Sequence, residues 1–291
     1  MNIVLIDHPY LTDSTNLHTQ NQTKLALLQQ GRLIEVIHCD THWVGNCYQG
    51  RVNKVSAQFI FVDMGQVLPG FLQNKSGMPT LKQGDYVKVQ VKRNPAPAEK
   101  KGPLLTLLSG PEPVSAQAIG LLSRPAVAEH VQALSPHRLD KLVTNNQDLA
   151  AELANQFPHI PLVFSDDPFI AYEIPSQLPI SSKVWLKSGG YLFIETTRAC
   201  TVIDINTGKN THKKKDVIHQ TNTEAMAEIA YQLRLRNLSG IIIIDLINHP
   251  DKQANQQLVK QLKTLTATDR AQTQVMGLTR LGLLEMTRQK V

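Results

Sequence analysis

The run Ile241-Ile242-Ile243-Ile244-Asp245-Leu246-Ile247 constrains this chain more than any other stretch. A nearly continuous aliphatic segment, rich in β-branched side chains, reads as a central strand of a parallel sheet covered on both faces. The aspartate at its carboxyl end lies where open α/β sheets bind ligands. A carboxylate in that place is costly unless it is paired or bound to a cation.

Upstream, Cys200-Thr201-Val202-Ile203-Asp204-Ile205-Asn206 reads as a second strand with an aspartate inside it. Residues two apart share a face of a strand, so Asp204 and Asn206 point the same way and the amide can orient the carboxylate. Taken alone, Asp204 reads as a strand-end residue facing water. Asp245 shifts the balance towards a pair. Between the two strands, Thr221-Asn222-Thr223-Glu224 matches a capping box and predicts a helix start. Ala225, Met226, Ile229, Ala230 and Leu233 then fall on one helical face, and Asn237 and Gly240 close the helix. One helical crossover between adjacent strands would set Asp204 beside Asp245. Two such acids suit Mg²⁺, which prefers oxygen ligands and keeps several waters. The residues before them, from Lys183 onward, read as a three-stranded meander with turns at Ser188-Gly189-Gly190 and Thr196-Thr197-Arg198.

The segments TVIDINTGKN, QTNTEAMAEIAYQLRLRNLSGIIIIDLIN and VMGLTRLGLLEMTRQK, in this order and spacing, resemble the catalytic core of the RNase E/G family of bacterial endoribonucleases. The resemblance runs almost without a gap from about Lys183 to Val291. It implies that Asp204 and Asp245 hold a catalytic Mg²⁺, that Asn206 supports the first acid, and that Arg280 lies near the substrate. For Arg280 a buried structural pairing with Glu285 is equally open.

Residues 41–110 have a different texture. Strand-like alternation surrounds Gly50-Arg51-Val52, Phe61-Val62-Asp63, Gly70-Phe71-Leu72 and Gly84-Asp85-Tyr86-Val87. This resembles the OB-fold RNA-binding barrel inserted in the same family, which places Phe61 and Phe71 at aromatic positions that stack bases. Burial of both rings in the barrel core is the other reading. Lys101 belongs to a Pro-broken basic loop, and Lys213 and Lys214 to the run His212-Lys213-Lys214-Lys215. Both basic stretches are open to reading as phosphate contacts or as solvated loops.

The resemblance therefore implies a mixed α/β chain. Its parts are the start of an RNase H-like subdomain (1–40), the OB-fold barrel (41–110), an abbreviated sensor-like region (111–157), the rest of the RNase H-like subdomain (158–200) and a DNase I-like catalytic subdomain (201–291). Residues 251–268 read as a helix with Ala254, Leu258, Val259, Leu262 and Leu265 on one face, followed by a strand at 274–278 that completes a βαβ unit. Gly120 to Arg124 faintly matches the family's sensor for a 5′-monophosphate, but the Arg-Thr pair that grips the phosphate has no counterpart. The zinc-link motif and small oligomerisation domain of the family are also not found, so no structural zinc is expected and a homo-oligomer is left open.

Composition adds bounds. The 291 residues allow two or three small domains, and 42% apolar content supports real cores. No apolar run reaches the length of a membrane span, and the start lacks signal-peptide regions. Cys39, Cys47 and Cys200 show no metal-ligand spacing and read as reduced thiols, which points to the cytoplasm. The formal net charge of +6 is a modest bias towards polyanions. No Ser/His/Asp or Cys/His arrangement competes with the two acids, and His249 before Pro250 reads as a helix-start residue. The expectation is a Mg²⁺-dependent endoribonuclease that cuts single-stranded RNA to 5′-phosphate and 3′-hydroxyl ends. An RNA-binding protein of the same fold without turnover is the alternative.

Overall fold

The computed structural model describes residues 1–8, 23–39, 43–95, 101–112, 118–134, 138–178, 180–208, 215–249 and 251–290. The chain begins with β1 (Asn2–Asp7), β2 (Lys24–Gln29) and β3 (Arg32–His38). Next come β4 (Cys47–Val55), β5 (Phe59–Asp63), β6 (Gly70–Gln73), β7 (Tyr86–Arg93), β8 (Leu104–Glu112) and β9 (Gly120–Ser123). Then follow α1 (Val127–Ala133), β10 (Lys141–Thr144), α2 (Gln147–Gln156), β11 (Leu162–Phe164) and α3 (Pro168–Ala171). The last part is β12 (Lys183–Trp185), β13 (Tyr191–Thr196), β14 (Cys200–Asn206), α4 (Lys215–Leu235), β15 (Gly240–Asp245), α5 (Lys252–Thr266), β16 (Thr273–Leu278) and β17 (Leu284–Arg288). These elements divide into two compact units, Met1–Ile37 with Ala133–Lys290, and His38–Gln132. Among the described residues no helix is long and apolar enough to cross a membrane.

The second unit is a barrel. β4 pairs with β5 and β7, β5 with β6, β6 in parallel with β8, and β8 with β7, which closes a ring of five strands. Closure removes the open edges that a sheet would otherwise present. Val52, Ile60, Val62, Leu72, Val87, Val89, Val91 and Leu105 fill the interior, alternating with outward residues along β5 and β7. β9 adds to β4 outside this ring.

The first unit holds two sheets. One has the order β11-β10-β1-β2-β3, with β1, β10 and β11 parallel and β1–β2 antiparallel. The turn at Gln30-Gly31 between β2 and β3 has φ of 51° and 78°, the two positive values of a two-residue hairpin turn that matches strand twist. The other sheet has the order β12-β13-β14-β15-β17-β16. Its covered face packs Leu192, Ile194, Ile203, Ile205, Ile242 and Ile244 against Met226, Ile229 and Leu233 of α4 and Leu258 and Leu262 of α5. Glu35, buried on β3, forms ion pairs with Arg234 at the end of α4 and with Arg270.

Four expectations need correction. The aliphatic run of β15 is covered on one face only: Ile242 and Ile244 are buried, whereas Ile241 is 52% exposed. A run of isoleucines suits either situation, because β-branched residues favour the extended backbone wherever it lies. The helix predicted to start near Thr221 begins at Lys215, so the matched capping box lies inside α4. The α5 crossover does not complete a βαβ unit of neighbours. β17 sits between β15 and β16, antiparallel to both, because the chain turns back at Thr279–Gly282 and inserts the returning strand. On α5 itself, Leu265 is exposed and Thr266 takes the buried place, continuing the spacing of Ala254, Leu258 and Leu262.

Candidate metal centre

β14 and β15 run parallel, and their register sets Asp204 directly opposite Asp245. Neighbouring strands lie about 4.8 Å apart, and residues in register on them leave the same face. The buried neighbours Ile203, Ile205, Ile242 and Ile244 fix which face that is. Both aspartates therefore emerge side by side from the uncovered face, at the carboxyl ends of two parallel strands. Asn206 donates its Nδ2–H to Oδ2 of Asp204 at 2.6 Å, as strand alternation led one to expect.

Among the described residues neither carboxylate takes part in an ion pair. Two like charges directly opposite on adjacent strands repel each other. A divalent cation between them would remove that repulsion. No group of three or more His, Cys, Asp or Glu side chains converges among the described residues. The donors on offer are hard carboxylate oxygens, which fit an ion that completes its shell with water and substrate oxygens. They do not resemble the thiolate and imidazole cages that bind zinc.

The scaffold around the acids comes from α4. Asn222 is fully buried, donates to the Ile247 carbonyl at 2.8 Å and accepts from the Ile247 N–H at 3.1 Å. It thereby clamps the backbone two residues beyond Asp245. Glu224 accepts from the backbone N–H groups of Lys187 and Ser188, which ties the β12–β13 turn to the same helix. Thr221 returns its hydroxyl to the Val217 carbonyl, the bond a threonine makes inside a helix. Of the residues that look like a cap, Asn222 and Glu224 thus serve tertiary contacts and Thr221 an intrahelical one. At that turn, a Cβ on Gly190 would lie 2.7 Å from the Asn206 carbonyl, so only glycine lets the hairpin close on the end of β14. Asn222→Leu is expected to leave the Ile247 amide and carbonyl unsatisfied and to cost about 1–3 kcal/mol, measurable by urea unfolding.

The helix ends as a Schellman motif. Leu238 N–H reaches the Leu233 carbonyl, Asn237 N–H reaches Arg234, and Asn237 adopts φ 47°. This reversal starts β15 at Gly240, and its next residue, Ile241, pairs with Cys200 of β14.

On the barrel, Phe61 and Phe71 stand opposite each other on β5 and β6, half-exposed, while Ile60, Val62 and Leu72 point inward. The core reading of these two rings is thus set aside. Phe59 packs edge-on against Phe71 at 5.7 Å, and the Arg93 guanidinium lies 5.9 Å from the Phe71 ring. Lys101 is exposed. Lys213 and Lys214 lie outside the described residues.

The model of the Ribonuclease E/G family matches residues 123–291, more than half of the chain, and this span contains Asp204, Asn206 and Asp245. The chain belongs to the Ribonuclease E/G family. Ribonuclease G of Salmonella typhimurium is 39% identical over 147 residues, covering 49% of this chain and 29% of that protein. Ribonuclease G of Escherichia coli K12 is 47% identical over 116 residues, 39% of this chain and 24% of that one. Ribonuclease E of Synechocystis is 44% identical over 113 residues, 38% of this chain and 17% of its own length. The chain thus spans less than a third of the length of these relatives.

Within the part that matches the Ribonuclease E/G family, Arg280 is exposed in the β16–β17 turn and Glu285 is exposed on β17, with no ion pair between them. The buried-pair reading of Arg280 therefore does not hold. The buried arginine of the β16–β17 hairpin is Arg288. His249 takes the helix-start role: its Nδ1 accepts from the Asp251 N–H at 3.1 Å, just before α5. The clamp by Asn222 was not read from sequence. A buried polar residue amid the apolar face of a helix was the signal that could have found it.

Proposed function

We propose that this chain is a metal-dependent endoribonuclease acting on single-stranded RNA, with Mg²⁺ held by Asp204 and Asp245. The observation that carries this reading is the register that sets the two carboxylates opposite each other with no ion pair to either among the described residues. Family membership supports it, as do the relatives named Ribonuclease G and Ribonuclease E. A bound Mg²⁺ would polarise the phosphodiester and lower the pKa of a water. Asp204 and Asp245 supply the binding charge, and the Asn206 amide fixes the rotamer of Asp204. Cleavage would leave 5′-phosphate and 3′-hydroxyl ends.

In this reading the five-stranded ring is an OB-type barrel that binds RNA, with Phe61 and Phe71 as stacking surfaces and Lys101, Lys213, Lys214 and Arg280 as phosphate contacts. The β3-β2-β1-β10-β11 sheet corresponds to the family's RNase H-like subdomain, and the β12–β17 sheet with its helices to the DNase I-like one. Phe71→Ala is expected to weaken RNA binding by about 1–3 kcal/mol, read by fluorescence anisotropy of a labelled oligonucleotide.

The test incubates the protein with an unstructured AU-rich RNA, with and without Mg²⁺, beside Asp204→Ala and Asp245→Ala. Metal-dependent cleavage with 5′-phosphate ends, lost in both variants, is the expected result. Salt-sensitive binding without any metal-dependent cleavage would instead assign the chain to RNA-binding proteins without turnover.

A further inference from the structure

Directly beside the acids, the uncovered face of the β12–β17 sheet carries a cluster that the nuclease reading does not use. The register places Lys183 opposite Phe193, Phe193 opposite Asp204, and Asp204 opposite Asp245, one row across four strands. The adjoining row is Trp185, Tyr191 and Asn206. At one strand spacing of about 4.8 Å per step, Phe193 adjoins Asp204 and Lys183 lies about 10 Å from it.

These rings do not build the core. Leu192 and Ile194, on the opposite face of the same strand, do that. Trp185 is 64% exposed, and Tyr191 and Phe193 are half-buried. Trp185 meets Tyr191 edge-on at 5.4 Å, and Tyr191 meets Phe193 edge-on at 5.4 Å. The Lys183 ammonium lies 4.1 Å from the Trp185 centroid and 3.9 Å from that of Tyr191. Lys183 covers one face of Trp185 and of Tyr191. The high exposure of Trp185 leaves the rest of its ring open to a base, and the ammonium supplies a partner for phosphate. Aromatic faces interleaved with positive charge bind single-stranded nucleic acid in a sequence-tolerant way.

We propose that Trp185, Tyr191 and Phe193, with Lys183, form a stacking platform for the bases of single-stranded RNA next to the phosphate that a divalent ion on Asp204 and Asp245 would bind. The assignment of that phosphate rests on the nuclease reading; the platform's binding of RNA does not. Its occupant is RNA rather than another protein surface because the cluster is continuous in register with the acid pair and carries its own cation.

The test uses the full chain in EDTA, where turnover is absent. Binding of a single-stranded oligoribonucleotide is measured by anisotropy for the wild type, Trp185→Ala and Tyr191→Leu, and against an oligonucleotide with abasic sites. In a Trp43→Phe background, Trp185 emission reports stacking directly. The expected results are quenching of Trp185 by RNA and about 5- to 100-fold weaker binding in each variant, a loss that disappears with abasic positions. With Mg²⁺ present, the same variants raise KM more than they lower kcat. Because Trp185 is exposed, its truncation leaves the fold intact, which unchanged thermal unfolding checks. Unchanged affinity in both variants, or loss of self-association in Trp185→Ala without any change in RNA binding, overturns the platform. Cleavage that persists in that case leaves the nuclease reading standing. Conversely, platform-dependent binding without any cleavage overturns the nuclease reading and keeps the platform.

Discussion

Replacing Asp245 with alanine is expected to lower Mg²⁺-dependent cleavage on the order of 10³-fold, with Asp204→Ala equivalent. The charge stabilisation a bound divalent ion gives to a phosphoryl transition state is several kcal/mol, and each 1.36 kcal/mol is a factor of ten in rate. Either alanine halves the binding charge that the register brings together. A second measurement separates lost metal binding from lost fold. In the wild type, Mg²⁺ at about 100 times its dissociation constant is expected to stabilise the native state by about 2.7 kcal/mol, seen as a rise in unfolding temperature. That rise vanishes in Asp245→Ala. In Asp245→Asn without metal, stability is unchanged or slightly higher, because the repulsion between opposed carboxylates is gone. A variant that unfolds readily in EDTA would instead mark Asp245 as structural. Asn206→Ala, which leaves both acids but removes the 2.6 Å bond to Asp204, is expected to weaken metal affinity by about 10- to 100-fold.

Arg288→Met is expected to produce the largest loss of stability, about 3–5 kcal/mol. Arg288 is buried on β17 and holds Asp269 with two bonds, Nε to Oδ2 at 2.7 Å and Nη2 to Oδ1 at 3.1 Å. Its Nη1 also donates to Asn237 Oδ1 at 3.0 Å and to the Leu238 carbonyl at 2.8 Å. One guanidinium therefore ties β17 to the loop before β16 and to the reversal that ends α4. Methionine fills the volume but leaves the buried Asp269 carboxylate without a counter-charge. Lysine does not rescue, because a single ammonium cannot present the planar fork that meets both carboxylate oxygens. Arg288→Met with Asp269→Leu should be less harmful than Arg288→Met alone, since both charges are then gone. Equilibrium urea unfolding of the three variants checks the order.

Much of the local structure was legible. The β12–β14 meander, the apolar face of α4 and the strand around Asp245 follow from alternation, helical spacing and turn residues. The geometry between Asp204 and Asn206 is also local, because residues two apart on a strand must share a face. The helix start was misread for a physical reason. Thr221 and Glu224 have cap chemistry, but α4 continues upstream to Lys215, and Glu224 satisfies the backbone of the β12–β13 turn instead. The arginine question had the same character. A sequence motif offered Arg280 as a partner for Glu285, while the interior contains Arg288, whose partner Asp269 precedes it by a hairpin and could not be paired by spacing.

By itself the sequence determined the strands that carry Asp204 and Asp245, which face of α4 is apolar, and that each of these acids ends or interrupts an aliphatic run. Adjacency of these acids was expected from the crossover, but only tertiary structure decided the register that sets them directly opposite each other, that the face they share is uncovered, and that Trp185, Tyr191 and Phe193 share it with them. The reason is that periodicity records only what one strand does with its own two faces. Register and strand order arise from pairing with another segment, and here the α4 crossover and the insertion of β17 set both.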